Sequence, residues 1–562
     1  MDDVDAVQAQ IGRTMLESGD WVTARLDGVA YLEKSPLIYW IMAASFRVFG
    51  VHDWAARLPL ALIVVLLCWV TYQVGRWAFG ERAGIYSGVV LATCAGLYLF
   101  TRILIPDAAL TLTITVTLWA WIRLLEGDEA RPRRWAMLMG VSLGCGLLLK
   151  GLIAAVFPVL TGLAHMALAR KLFSRSAWRS LHVFTVVAVA LLVAVPWHVL
   201  AMLANPPLFA FSFHSGPGEY RGFFWFYFFN EHLLRFLNLR YPRDYNTVPR
   251  ALFWALNLVW LFPWSAYLPG AVKLSYGRES RAASLRLLAV CWIAVVMLFF
   301  TFSTTQEYYS MPIYPAMALL IGSSMADQRW TAHGSRVLAG SFALFCVAML
   351  TVLGLVAKVP APGELAAALT QHPEMYTLSL GHMGDLTLAA FAYLKLPLAV
   401  AAVSCAICAA GAWFTRFSIQ RTVVFLAIGM ILFFQAARLA LIQFDPYLGS
   451  YPLAKTLLDS PPGGLIEADS YYSFSSVFFY TNRKALLLNG RDNNLEYGSY
   501  APNAPSVFID DAGFVSRWDS QQRYYLLINE PDLGHIIELV GKDHVHLVKA
   551  SSGKVLASNS LL

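Results

Sequence analysis

Charge is scarce in this chain. Only 14% of its 562 residues are Asp, Glu, Lys or Arg, where soluble domains carry about a quarter, and 58% are hydrophobic. That composition excludes an ordinary soluble protein and indicates a polytopic helical membrane protein. Cysteine is scarce wherever it could cross-link. All seven (Cys68, Cys94, Cys145, Cys291, Cys346, Cys405 and Cys408) lie inside apolar runs and none in the polar C-terminal region, which excludes a disulfide-stapled module and offers no metal-type spacing. No Walker loop, Rossmann glycine pattern, tandem repeat or low-complexity segment occurs, so nothing points to a nucleotide bound or hydrolysed inside the cell. The formal net charge of +7 does not indicate nucleic acid, because Lys and Arg fall in short clusters between apolar runs rather than along one face.

Long apolar runs are what the sequence has in abundance. Those of roughly 16 to 24 residues number about twelve, beginning near Leu58, Gly84, Asp107, Ala136, Leu152, Leu181, Ala251, Leu287, Met311, Val337, Leu388 and Val423. The basic connections "RPRR", "ARKLFSRSAWR", "KLSYGRESRAASLR", "DQRWTAHGSR" and "TRFSIQR" all fall on one side when spans alternate, which makes that side cytoplasmic; an inverted topology would violate every basic loop at once. The long loops 205–250 and 358–385 then lie outside with both termini. An outer N-terminus needs a preceding segment to carry it across, so a first span is expected upstream and a full chain of about thirteen.

Composition changes after Asp445. "GLIEAD", "SVFFYT", "KALLLNG", "SVFID", "YYLLINE" and "HVHLVKASSGKVLAS" are short β-rich runs between turn formers, with "SSGK" as a hairpin turn. The expected organisation is an outer loop over residues 1–56, a multi-span domain over 57–441 and a small outer α/β domain over 442–562.

Ionisable residues at membrane depth are functional candidates, because placing them there costs several kcal/mol unless they are paired or solvated. Asp107 in "RILIPDAALTLTITV" opens a helix after Pro106, where a first-turn carboxylate is also favoured by the helix dipole. Lys150 in "CGLLLKGLIAAVFP" lies between two runs, where a snorkelling lysine at a turn is the plainer account. Both nevertheless fall at the outer ends of their helices, on the face of the Glu33-Lys34 loop. That face also receives the acidic cluster Asp2, Asp3 and Asp5, "NEHLLRFLNLRYPRDY" with His232, and "TTQEYYSMPIYP" with Tyr308 and Tyr309. Carboxylates suit a general base, and Lys and Arg suit a phosphate.

With these residues in place the chain resembles the GT-C membrane glycosyltransferases that use polyprenyl-phosphate sugars, and within them the bacterial aminoarabinose (lipid A) transferases and their protein O-mannosyltransferase-like relatives. The resemblance is carried by "DDVDAVQAQIGRTML", "SGDWVTARLDGVAYLEKSPLIYW", "FGVHDWAARLPLAL", Asp107, "LLLKG", "NEHLLRF", "YYSMPIYPAMALL" and "YYSFSSVFFYTNRKALLLNGRDNNLEYG", and it runs over nearly the full chain. It implies a catalytic acid in the first outer loop, here Asp3 or Asp5, with Asp107 as a second acid. The family's Asp-Glu pair followed by Arg and Tyr is replaced here by Asp-Val-Asp-Ala-Val-Gln, which leaves the register of that acid open.

The resemblance further implies that Lys34, Lys150 and Tyr309 hold the carrier phosphate, and that Tyr31, Glu33, Arg57, His232 and Tyr308 line the same cavity. "EKSP" would be a turn that places Lys34 over it, with an amphipathic juxtamembrane helix over residues 38–49. The implied donor is a sugar on undecaprenyl phosphate and the acceptor a lipid or a protein, with no nucleic acid partner, no required cofactor and no required metal, although Glu33 with His232 could form a structural metal site. Direct displacement with one base implies inversion at the anomeric carbon. The expected location is the bacterial inner membrane, with the active site and the C-terminal domain on the periplasmic side. A transporter of lipid-linked sugars is the rival class, but it would show repeated halves and midplane breaks.

Overall fold

The computed structural model describes residues 1–243, 247–361, 369, 386–468 and 470–561. Most of the expected outer loop 358–385 lies outside the described residues, as do the last residues of the stretch 230–245.

The chain opens with α1 (Asp3–Ser18), the hairpin β1 (Arg25–Leu26) and β2 (Val29–Ala30), and α2 (Leu37–Phe49). Asp2 caps α1 by accepting the Asp5 N–H at 2.9 Å, and Gly19 ends it in the left-handed conformation. Asp27 and Gly28 both have positive φ and form the two-residue loop that such a hairpin prefers. α2 occupies the amphipathic stretch expected at 38–49. It buries Ile38, Tyr39, Met42 and Phe46, and a Cβ at Gly12 of α1 would lie 3.2 Å from Met42 Cβ.

The apolar helices follow: α3 (Asp53–Phe79), α4 (Glu81–Ala92), α5 (Ala95–Phe100), α6 (Asp107–Glu126), α7 (Pro132–Lys150), α8 (Ile153–Leu168), α9 (Arg175–Ser180), α10 (Val183–Ala204), α11 (Gly222–Phe224), α12 (Arg250–Trp260), α13 (Leu268–Ala271), α14 (Arg281–Thr301), α15 (Tyr314–Ala326), α16 (Thr331–Val356), α17 (Leu388–Phe391), α18 (Lys395–Phe414) and α19 (Ile419–Leu448). Each of the twelve apolar runs carries a helix. Among the described residues, however, seven helices are long and apolar enough to cross a membrane, or eight if the pair bent by 92° at 250–271 is one span. The other apolar runs carry helices that do not meet that length and composition: α4, α8 and α15 have 12, 16 and 13 residues, against the roughly 20 of a single helix that crosses a bilayer core, and α7 opens on Arg133 and Arg134.

The described protein is a polytopic helical membrane protein whose helices differ in depth. The apolar window of α6 is 72% buried and stands inside the bundle, whereas that of α16 is 17% buried and turns its leucines outward. Small residues set close helix contacts: a Cβ at Gly322 of α15 would meet Ser87 Oγ at 2.2 Å and Ala83 O at 2.8 Å on α4, so only glycine permits that approach.

Beyond α20 (Tyr451–Asp459), β3 (Gly464–Ala468), α21 (Ser475–Thr481), β4 (Leu486–Leu488), α22 (Asn493–Ser499), β5 (Phe508–Ile509), α23 (Asp511–Trp518), β6 (Tyr524–Asn529), α24 (Leu533–Val540), β7 (His546–Ser551) and β8 (Lys554–Ser558) build a six-stranded mixed sheet. Its order is β5-β4-β3-β6-β8-β7, with β3, β4, β5 and β6 parallel and β8 antiparallel to β6. The "SSGK" hairpin joins β7 and β8, with Ser552 and Gly553 at positive φ. "SVFFYT" is helix α21 and not a strand. Phe474, Val477 and Phe478 are all buried, a spacing that repeats with the helical and not the strand period, and Asn482 in the left-handed conformation closes the turn.

The hairpin tip meets this sheet. Asp27 accepts the Ala485 N–H beside β4 and is pushed up to about 7 by burial, against the opposing pull of that bond and of Lys484. A carboxyl raised in the folded state contributes stability that is complete below its unfolded pKa and is lost as pH rises through about 7. Melting temperature should therefore fall between pH 5 and pH 8, and Asp27→Asn should flatten that slope in differential scanning fluorimetry; an unchanged slope would show that other groups set it.

Candidate functional site

A cavity of about 610 Å³ opens at the end of the bundle where α6 begins and α7 ends. Residues far apart in sequence meet on its wall. Tyr31, Glu33 and Lys34 come from the loop before α2; Asp107 opens α6 and Lys150 closes α7; Glu231, His232 and Arg235 come from the stretch between α11 and α12; Tyr308 and Tyr309 follow α14; Tyr472 and Asn494 come from the sheet region. Asp107 and Lys150, expected to share a face, are paired directly, Lys150 Nζ donating to Asp107 Oδ1 at 2.6 Å. The ammonium also sits 4.8 Å from the ring centroid of Tyr309 and 5.5 Å from that of Tyr308, a cation–π position.

The second charge group centres on Glu33. Lys34 pairs with it, Tyr31 donates its hydroxyl at 3.3 Å, and Arg235 and Arg240 approach at 3.5 and 3.7 Å. Glu231 binds the same arginines, Arg235 at 2.6 Å and Arg240 more closely. Arg235 also donates to Tyr309 Oη at 3.0 Å, which joins this group to the Lys150 side. Burial alone would raise the Glu33 carboxyl, but Lys34, Arg240 and Arg235 overcome it and hold it well below the usual carboxylate range. Burial would likewise lower the Lys34 ammonium, and Glu33 raises it above its ordinary value instead. Among the described residues, the wall presents Lys34, Lys150 and Arg235 against Glu33, Asp107 and Glu231. Arg240, fully enclosed behind them, pairs with Glu231 and Glu33.

Local structure delivers these groups. Residues Trp225–Leu234 form a π-helical stretch, whose wider turn re-aims side chains and turns Glu231 and His232 to the cavity. Gly151, at φ +68°, lets the chain reverse between α7 and α8 directly beneath His232. Neither ring nitrogen of His232 is available to a metal ion: Nδ1 bonds the Tyr227 carbonyl at 2.5 Å and Nε2 accepts the Leu152 N–H at 3.0 Å. Glu33 is engaged by Lys34, Arg235, Arg240 and the hydroxyl of Tyr31.

Three expected residues lie elsewhere. On α1 it is Val4 and Gln8 that face the cavity; successive helical side chains are rotated by about 100°, which turns Asp3 and Asp5 away. Asp3 is bound to Lys554 Nζ at 2.6 Å, Ser450 Oγ at 2.9 Å and the Ser476 N–H at 2.8 Å, which ties α1 to the sheet region. Asp5 is wholly buried, pairs with Arg57 and accepts the Leu104 N–H at 2.7 Å. Its carboxyl is pushed up to about 7 by burial and by Asp2, against Arg57 and Leu104. Arg57 also donates to the Arg102 carbonyl at 2.5 Å, so Asp5 and Arg57 brace the turn that leads into Pro106 and Asp107 and do not line the cavity. Conversely, Glu231, Arg235, Arg240, Tyr472 and Asn494 were not singled out from sequence. For the first three the signal was present, as acids and bases in "NEHLLRFLNLRYPRDY" at helical spacing; Asn494, which accepts from Arg240 at 2.9 Å and donates to Tyr472 Oη at 2.9 Å, had none.

The comparisons agree with this geometry. A family model described as dolichyl-phosphate-mannose-protein mannosyltransferase matches residues 33–199, the span that contains Glu33, Lys34, Asp107 and Lys150. An undecaprenyl phosphate-alpha-4-amino-4-deoxy-L-arabinose arabinosyl transferase of Aeromonas salmonicida is 28% identical over 62% of this chain and 61% of its own. Its namesake in Pseudomonas aeruginosa (strain UCBPP-PA14) is 30% identical over 62% and 60%. The chain is similar to these aminoarabinose transferases. It spans about 60% of the length of these curated relatives. The fold extends further than the sequence match: the crystal structure of ArnT from Cupriavidus metallidurans bound to undecaprenyl phosphate superposes with a TM-score of 0.80 at 21% identity, over 99% of this chain and 93% of that one.

Gly151 supplies a test of the site's frame. A Cβ there would meet His232 Nε2 at 2.1 Å and Tyr227 Oη at 2.8 Å, so Gly151→Ala should destabilise the purified protein by about 1–3 kcal/mol. A melting temperature equal to wild type would show that the turn does not depend on glycine.

Proposed function

We propose that the protein is a membrane glycosyltransferase that moves a sugar from undecaprenyl phosphate to an acceptor lipid at the periplasmic face of a bacterial inner membrane. The observation that carries this reading is the convergence of Lys34, Lys150, Arg235 and Tyr309 on one cavity, bridged by the Arg235–Tyr309 hydrogen bond at 3.0 Å and by Lys150 over the Tyr309 ring. Three cations and a phenol are the donor set for a phosphate monoester leaving group. The names of the curated relatives support undecaprenyl phosphate-4-amino-4-deoxy-L-arabinose as the donor class, and the basic connections support the periplasmic assignment.

In the proposed reaction an acceptor oxygen attacks the anomeric carbon as the bond from that carbon to the phosphate oxygen breaks, and the phosphate leaves with the electron pair. Lys34, Lys150 and Arg235 neutralise the charge that gathers on the phosphate, and Tyr309 donates to it. Of the three candidate catalytic acids Asp3, Asp5 and Asp107, Asp107 is the one on the cavity wall, so it orients the acceptor. A phosphate acceptor is already ionised and surrenders no proton; a hydroxyl acceptor would pass its proton to Asp107. Single displacement, with no enzyme-linked sugar, inverts the anomeric configuration.

The test is transfer from radiolabelled undecaprenyl-phosphate sugar to mixed acceptor lipids by the protein in liposomes. Lys34→Ala and Lys150→Ala should each lower kcat/KM by about 100-fold or more, and NMR of the product should show an inverted linkage. A retained linkage would overturn the single displacement, and donor bound but never turned over by wild type would overturn the transferase.

A further inference from the structure

Residues 204–218, "ANPPLFAFSFHSGPG", contain no Lys, Arg, Asp or Glu. Yet this segment leaves α10 outside any span and displays large apolar side chains: Phe209 is 62% exposed, Phe211 74% and Phe213 62%. The rings are fixed in place. Phe209 and Phe211 meet Phe224 at right-angled centroid distances of 5.0 and 5.7 Å, and Phe211 and Phe213 meet Phe229 at 5.6 and 6.3 Å. Below them Trp225 Nε1 donates to the Ser212 carbonyl at 2.7 Å, the Phe223 N–H to the Asn205 carbonyl at 2.9 Å, and the buried Asn205 amide to Thr23 Oγ1 at 2.9 Å. The result is a braced aromatic blade rather than a loose loop.

Two observations identify what covers it. The blade continues the outward stripe of α10, where Leu192, Val199 and Leu203 are exposed and the apolar window as a whole is only 28% buried. Its aromatics, moreover, are phenylalanines without the polar handle that keeps Tyr and Trp at the membrane boundary, and residues 204–218 hold no Lys, Arg, Asp or Glu. At its inner edge Phe224 touches Phe228 at 5.5 Å, and Phe228 lines the cavity.

We propose that the blade of Phe209, Phe211 and Phe213 is inserted among the phospholipid acyl chains of the leaflet from which the cavity opens, and that it holds the cavity mouth at the depth of a lipid-borne phosphate. The second half of this proposal rests on the carrier-phosphate reading; the insertion does not.

Both halves can be tested on the full-length protein in liposomes. A p-benzoylphenylalanine introduced at Phe211 should form, on illumination, adducts with radiolabelled phosphatidylethanolamine as readily as one introduced at Phe184, which is 93% exposed on α10. Adducts to a second protein chain, or none while position 184 reacts, would overturn insertion. A combined Phe209→Ser, Phe211→Ser and Phe213→Ser variant should raise KM for undecaprenyl-phosphate sugar in liposomes about tenfold with kcat unchanged, and leave a short water-soluble carrier unaffected. Lipid adducts with an unchanged KM would overturn the delivery role alone, and lipid adducts in a protein that transfers no sugar would count against the transferase reading and not against the blade.

Discussion

The site depends on charges that are removed from water and must therefore neutralise one another. Glu33 and Glu231 share Arg235 and Arg240, and Asp107 takes Lys150. A lone buried carboxylate or guanidinium would cost several kcal/mol, so each of these residues fixes the position of the others. Because the pairs are interleaved, the grid keeps its geometry while Lys34, Lys150 and Arg235 stay on the cavity wall. The same low-dielectric surroundings that make an unpaired charge expensive strengthen the pull of these cations on an incoming anion.

That grid explains features remote from it. The π-helical stretch at Trp225–Leu234 turns Glu231 inward, and the reversal at Gly151 places Lys150 and His232 on opposite walls of one turn. The sheet region is recruited as well: Asn494 reaches Arg240, Glu496 accepts the Tyr241 hydroxyl at 2.5 Å, and Tyr497 accepts the Arg221 N–H at 2.8 Å while stacking on Phe226. α22 thus grips the outer loop that carries the arginines, so the sheet region and the helical bundle complete one site. Asp3, through Lys554 and Ser450, ties α1 into the same assembly.

Much of the site was legible because membrane depth makes charge conspicuous. Asp107 and Lys150 stood out in apolar surroundings, and they do pair. Glu33, Lys34, Tyr308, Tyr309 and His232 were drawn to the same face by helix alternation and by the family resemblance, and all line the cavity. Asp3, Asp5 and Arg57 satisfied the same criteria of residue type and approximate position, but a helix separates neighbours by rotation, and the register of α1 gives the cavity to Val4 and Gln8. Glu231, Arg235 and Arg240 were visible as acids and bases in "NEHLLRFLNLRYPRDY", but only the folded path shows that these groups are the enclosed ones. Length and composition confirm seven or eight of the twelve expected spans among the described residues; hydropathy measures apolarity, whereas α4, α8 and α15 are short single helices.

Composition and periodicity by themselves determined a polytopic helical protein, the positions of its apolar helices, most strands of the C-terminal sheet and the end of the bundle where chemistry gathers. These follow from local rules, namely the transfer of apolar side chains out of water and the periods of helix and strand. Only the tertiary structure decided which acids face the cavity, which arginines neutralise Glu33, that "SVFFYT" is helical and that residues as late as Asn494 complete the wall. Those outcomes depend on rotation about helix axes and on pairing between segments hundreds of residues apart, and electrostatic pairing in a low-dielectric site is settled by distance, which sequence order does not encode.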